Sequence, residues 1–130
     1  MDLTSIRAGL ASALGGLGYS PYPALPGSPE LPAVIINSPE SIEYHQTLAG
    51  LCQLQIPITL LVSSADMESA QGLLNEAVSY KSGSLVQVLE AYASELWSAL
   101  YVVRAGSFYQ LQINDSQTAY GVDLTVRLMA

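Results

Sequence analysis

The stretch "LQIPITLLVSSADMESAQGLL", residues 54–74, changes its hydrophobic period partway along. From Leu54 the apolar residues fall on even positions: Leu54, Ile56, Ile58, Leu60 and Val62. Gln53, Gln55 and Thr59 point the other way, the two-residue period of a half-buried strand. Pro57 lies on the polar face, and Leu61 breaks that face near its end. A proline donates no ladder hydrogen bond, so Pro57 predicts an edge strand or a bulge. Beyond Ser63 and Ser64 the spacing becomes Met67, Ala70, Leu73, Leu74, Ala77 and Val78, the stripe of an amphipathic helix. Asp66 stands at the handover. A carboxylate where a strand gives way to a helix is a common catalytic position in α/β proteins. It is equally a common N-cap, and Glu68 two residues on, in the first turn, suits the positive end of the helix dipole. Capping is the reading these residues favour.

Upstream, Leu3, Ile6, Leu10, Ala13, Leu14 and Leu17 recur at helical spacing. Asp2 or Thr4 can cap that helix, and Gly15, Gly16 and Gly18 end it. "GGLG" follows a helix and lacks the Lys-Ser/Thr ending of a phosphate-binding loop, so it reads as a helix stop. Residues 19–32, "YSPYPALPGSPELP", hold five prolines and predict an extended connector, with Tyr19 and Tyr22 set on a neighbouring subunit or on their own core. "PAVIIN" (32–37) reads as a buried strand, and "SPESIEYHQTLAG" as a long hairpin excursion ending at Gly50.

Downstream, "KSG" closes the second helix, and Ser84 with Gln87 makes a capping box for a third carrying Leu85, Val88, Leu89 and Tyr92. "ELWSAL" reads as a last turn before a strand. "LYVVRAG" and "FYQLQIN" flank Gly106–Ser107 and predict one bent strand or two short ones. "NDSQ" (114–117) is turn chemistry. The final strand places Tyr120, Val122, Leu124, Val126 and Leu128 on one face and Asp123, Thr125 and Arg127 on the other. The expected order is α-β-β-α-α-β-β. It implies a single α+β domain over 1–130, with a small mixed or antiparallel sheet of about four strands and helices on one face.

Composition narrows the function classes. Half of the 130 residues are hydrophobic and only 12% are charged, against roughly 25% in ordinary soluble domains. A weakly charged surface favours coverage by a partner, most simply another copy of the chain. Four scattered cations (Arg7, Lys81, Arg104, Arg127) against eleven acids give a net charge of −7, which argues against adhesive nucleic-acid binding. Cys52 is the sole cysteine, so no internal disulfide forms, and it reads as a buried inert thiol. His45 is the sole histidine and reads as a polar hairpin residue, so neither a histidine metal cluster nor a relay is expected. No run approaches the ~18 apolar residues of a membrane helix. The N-terminus lacks an apolar segment of signal-peptide length, which predicts a soluble protein made in a cytoplasm. Asp66 with Glu68, or Glu40 with Glu43, would do acid–base work only in a pocket that separates their pKa values.

The ordered pattern of the chain resembles the small tail terminator proteins of long-tailed bacteriophages, especially those of actinobacterial hosts. The resemblance runs through the N-terminal helix and the link into "PAVIINSPESIEYHQT". It continues through "IPITLLVSSADMESAQGLL", "GSLVQVLEA" and the terminal "AYGVDLTVRLMA". The stretch 54–74 is its most specific part. Residues 92–97 depart from the family pattern, which has a glycine-containing turn there. The resemblance implies a structural virion protein with no catalytic, metal or cofactor residues. Such proteins form a homo-oligomeric ring, typically a hexamer, on the head-proximal end of the tail tube. The ring ends tube polymerisation and meets the head–tail connector, while DNA passes through the lumen without specific binding. Subunit and tube contacts are then expected in the hairpin residues Glu40, Glu43, Tyr44, His45 and Gln46 and in the turn Asp115, Ser116 and Gln117. A surplus of acids in the ring would repel passing phosphates. Two other readings remain open: another neck or tail protein, such as a stopper, tail-completion or tube-related subunit, and a small acid–base hydrolase using Asp66 and Glu68.

Overall fold

The computed structural model of the chain describes residues 2–46, 48, 50–92 and 94–130. Its elements run α1 (Leu3–Gly15), β1 (Ser20–Tyr22), β2 (Ala33–Ile36), β3 (Ser41–Glu43), β4 (Gln53–Ser63), α2 (Met67–Val78), α3 (Leu85–Ala91), β5 (Ala99–Ala105), β6 (Tyr109–Asn114) and β7 (Gln117–Met129). The fold is mixed α+β. The expected sheet of about four strands is a seven-stranded sheet among the described residues, so the expected element order is also replaced.

Two interruptions account for much of the difference. β2 and β3 lie one after the other along the same side of β4, with Ile36 opposite Ile58 and Ser41 opposite Gln55. β5 and β6 lie one after the other along β7, with Ala105 opposite Leu124 and Tyr109 opposite Gly121. The seven strands therefore fill five lanes: β1, β2/β3, β4, β7 and β5/β6. The break at Gly106 is the one its glycine predicts. β1 was not anticipated. It lies inside the proline-rich connector, pairs parallel to β2 and is an edge strand, where Pro21 is tolerated.

Pro57 corrects the edge expectation. β4 is central, paired with β2 and β3 on one side and β7 on the other. The Pro57 carbonyl accepts from the Asn37 backbone N–H and from Asn37 Nδ2, both at 3.1 Å. In extended backbone the N–H and C=O of one residue point to the same side. The donor that Pro57 lacks therefore faces residues 37–40, where β2 has ended and β3 has not begun.

The even face of β4 meets the matching face of β7, and α1, α2 and α3 cover it. Leu54, Ile56, Ile58, Leu60, Leu124, Val126 and Leu128 are fully buried there with Ile6, Leu10, Leu14 and Leu74, and Leu89 and Trp97 close the cluster. Tyr19 also packs against this core. Leu61, the apolar exception on the polar face, is explained by a second core on the opposite side of the sheet. There it packs with Ala33, Ile35 and Ala119, flanked by Tyr22, Leu31, Leu111 and Ile113. The connector crosses this face as a strap. It leaves from the β1 lane and is tied to the β6–β7 turn, where Asn114 Nδ2 donates to the Gly27 carbonyl (2.7 Å) and Gln117 Nε2 to the Pro29 carbonyl (2.8 Å). Among the described residues no helix is long and apolar enough to cross a membrane.

Gly121 sits where β7 passes closest to β4. A Cβ there would lie 2.7 Å from Leu61 Cδ2 and 2.9 Å from the Leu60 carbonyl oxygen. Gly121→Ala should destabilise by about 1–3 kcal/mol through overpacking. Gly72, inside α2 with nothing within 4 Å of its virtual Cβ, is the opposite case. Gly72→Ala should stabilise by roughly 0.5–1 kcal/mol. Urea unfolding of the two variants checks both signs.

Candidate functional site: two loop ends and a helix-free sheet face

Asp66 has extended backbone and caps α2. Its Oδ1 accepts from the backbone N–H of Glu68 (3.1 Å) and Ser69 (3.4 Å), and its Oδ2 from the Ser69 hydroxyl (2.9 Å). The Ser69 hydroxyl and N–H, followed by the Glu68 N–H, hold the carboxyl below its ordinary value of 3.8. A group working by proton transfer near neutrality needs a raised value, so this environment opposes that role. Asp66 lines a cleft of about 260 Å³ with Leu31, Val62 and Leu73, below the ~300–1,000 Å³ of typical ligand pockets. Ser84 caps α3 through Gln87 N–H (3.3 Å), while its own N–H goes to the Lys81 carbonyl. The capping box is thus made in one direction only.

The expected contact residues fall into two groups at opposite ends of the sheet. Glu43 is opposite Gln53 at the start of β4, and its Oε2 accepts from Gln53 Nε2 at 3.3 Å. Glu40 donates its backbone N–H to the Gln55 carbonyl, so the segment 40–43 stays on the sheet and only the chain beyond it forms the excursion. Tyr44, His45 and Gln46 are exposed, with His45 in the left-handed region at φ 55° and Gln46 N–H bonded to the Leu51 carbonyl. Thr47 and Ala49 of that excursion lie outside the described residues. Asp115 and Ser116 form the tip of the β6–β7 hairpin and are exposed. Gln117 is half-buried, with its amide engaged in the strap. The ten steps along eleven-residue β4 from Gln53 to Ser63 separate the two groups by roughly 33 Å at about 3.3 Å per step.

Between these ends, part of the sheet face away from the helices carries a polar row that residue types alone did not reveal. Asn37 Nδ2 donates to Thr59 Oγ1 (3.4 Å), and Thr59 Oγ1 donates to Asp123 Oδ1 (2.8 Å). The Tyr109 hydroxyl donates to the same Asp123 oxygen at 3.0 Å. Three strands (β4, β6 and β7) contribute one residue each and Asn37 follows directly on β2, so only the register brings them together. Burial, then the Asp123 charge and the hydrogen bond to it, push the Tyr109 phenol up to about 12. Next along this face stand Arg127, Tyr101 and Arg104, with Tyr101 opposite Arg127 and 57% exposed. At the β5 edge Glu90 of α3 accepts the Val102 N–H (2.9 Å) and the Tyr80 hydroxyl (3.0 Å), which blunts that edge against strand addition.

Among the described residues no three His, Cys, Asp or Glu side chains come together to hold a metal. The Cys52 backbone pairs with Ala130 in both directions, and its side chain packs against the core. The arrangement offers hydrogen-bonding and packing surfaces at two ends and on one face. No protein-family model matches the chain, and no curated protein matches it.

Because the folded value of Asp66 is lowered, its cap contributes fully above the unfolded value and is lost as pH falls through the folded one. Acid titration of α2 by circular dichroism should show loss only below about pH 4, and Asp66→Asn, which still caps, should remove that step. Ser84→Ala should cost about 1 kcal/mol. For Tyr109 the folded value is raised, so its contribution is complete below pH 10.0 and disappears as pH rises toward 12. Tyr109→Phe should remove the latest-ionising tyrosinate signal in an absorbance titration.

Proposed function

We propose that the chain is a structural virion subunit that assembles into a closed ring on the head-proximal end of a phage tail tube. The ring ends tube growth and joins the tail to the head connector, with DNA passing through it. The observation that carries this reading is the separation of two polar loop ends by the full length of β4 and β7, with two unlike lateral edges between them. A ring subunit stacked between two other assemblies needs two axial faces and two different side faces, because a closed ring is built from heterologous contacts. Tyr44, His45 and Gln46 then serve one axial end and Asp115 and Ser116 the other, while Glu40 and Glu43 lie on the β3 lateral edge between them. The tail-terminator resemblance supplies the station. The low charge fraction suits a subunit covered on several sides, and the acidic surplus suits a passage that must not hold DNA. The capping geometry of Asp66 weighs against the hydrolase alternative.

Negative-stain microscopy of the purified chain, alone and with tail tubes, tests the proposal. Closed rings, or added density at one tube end only, are expected. Long filaments would point instead to a tube subunit. A monomer that never binds tubes would reject the ring.

A further inference from the structure

Of the four cations, two are committed within the subunit. Lys81 pairs with Glu76 at 2.6 Å. Arg7 Nη2 donates to the carbonyls of Ile36 (2.6 Å) and Pro23 (3.1 Å). The side chains of the other two, Arg104 and Arg127, have no hydrogen bond or ion pair among the described residues, and Arg127 Nε is buried without a partner. Both lie on the helix-free face around Tyr101. Arg127 is directly opposite Tyr101, and Arg104 is opposite Thr125, two residues from Arg127. Asp123 is the nearby acid on that face, and its Oδ1 already accepts from Thr59 and Tyr109. Tyr101 and Val103 add exposed apolar surface, 57% and 43%. Two unpaired guanidiniums beside an exposed aromatic ring, in a chain of net charge −7, form a surface suited to a carboxylate-bearing partner.

The same rows of the sheet carry the complement at the far edge. Ser41, Gln55, Arg127 and Tyr101 form one row across the sheet, and Glu43, Gln53, Met129 and Ala99 the next. Glu43 and the neighbouring Glu40 are exposed at the β3 edge, and Glu40 has no side-chain partner among the described residues. The acids at the β3 edge thus stand at about the same height along the strands as Tyr101 and Arg104 on the opposite β5 edge and the half-buried Arg127 one lane in from it. A second copy placed alongside by rotation about an axis parallel to the strands brings its acids to the first copy's arginines. A contact of this kind is heterologous and can repeat until it closes.

The geometry points to a docking surface formed by Tyr101, Arg104 and Arg127 that receives Glu40 and Glu43 of a second copy of the chain. This inference rests on the ring reading and specifies its lateral contact. The paired charges fix the register between neighbours, and Tyr101 supplies the apolar contact that the charges flank.

Sedimentation of two charge-reversal variants tests it. R104E/R127E carries acids at both edges, and E40R/E43R carries cations at both. Each variant alone should self-associate at least about tenfold more weakly than the natural chain, since one contact of about 1.4 kcal/mol or more is lost. Mixed in equal amounts, the two restore complementary edges and should assemble in alternation. Natural protein should dissociate as salt is raised. If the natural chain is monomeric at every concentration, the ring reading falls and this inference with it. If the natural chain assembles while each variant assembles equally well alone, or if the mixed variants stay apart, the docking surface is wrong and the ring stands.

Discussion

β4 and β7 face each other through eleven consecutive residue pairs, from Gln53 opposite Met129 to Ser63 opposite Ala119. The rest of the fold hangs on this antiparallel ladder. It joins segments separated by two helices and two strands, so its closure entropy has to be offset by burial on a large scale. Its register also sets the sidedness of the molecule. A slip of one residue would turn Leu54, Ile56, Ile58, Leu60 and Val62 away from the helices and bring Gln53, Gln55 and Thr59 in. Gly121 helps hold the register, because the close approach of Leu60 and Leu61 leaves no room for a side chain opposite them.

Around that ladder the two faces are finished differently. Three helices cover the even face. The odd face is covered only at the Ser63 end, where the strap reaches from the β1 lane to Asn114 and Gln117. The remainder of that face stays open and displays Tyr109, Asp123, Tyr101, Arg104 and Arg127. Its edges are unequal. β1 is three residues long and contains Pro21, and β5 is bulged between Val102 and Arg104 and capped by Glu90. Such edges discourage unspecific strand pairing, so in the proposed ring lateral neighbours would meet through side-chain recognition.

The proposed ring would place severe demands on a small sheet, since each side would have to meet something different. Length along β4 and β7 separates the axial ends, and charge asymmetry across the lanes separates the lateral ones. Both properties arise from the same ladder, which would tie the proposed assembly geometry to the core rather than to loops alone.

Sequence periodicity by itself determined the faces of β4 and β7, the stripe of α2, the caps at Asp66 and Ser84, and the break near Gly106, because each depends on neighbours a few residues apart. It did not determine lanes. Pro57 pointed to an edge, yet it lies in the centre because Asn37 and the β2–β3 interruption face its missing donor. Leu61 was an unexplained exception until the second core gave it Ala33, Ile35 and Ala119 as neighbours. Gln117 read as an exposed turn residue but is drawn into the strap. The Asn37–Thr59–Asp123–Tyr109 row and the Arg104–Arg127 pair were equally invisible, since their members come from different strands. Local period reports which way a side chain points, whereas its partners depend on which distant strand lies alongside, and only long-range pairing decides that.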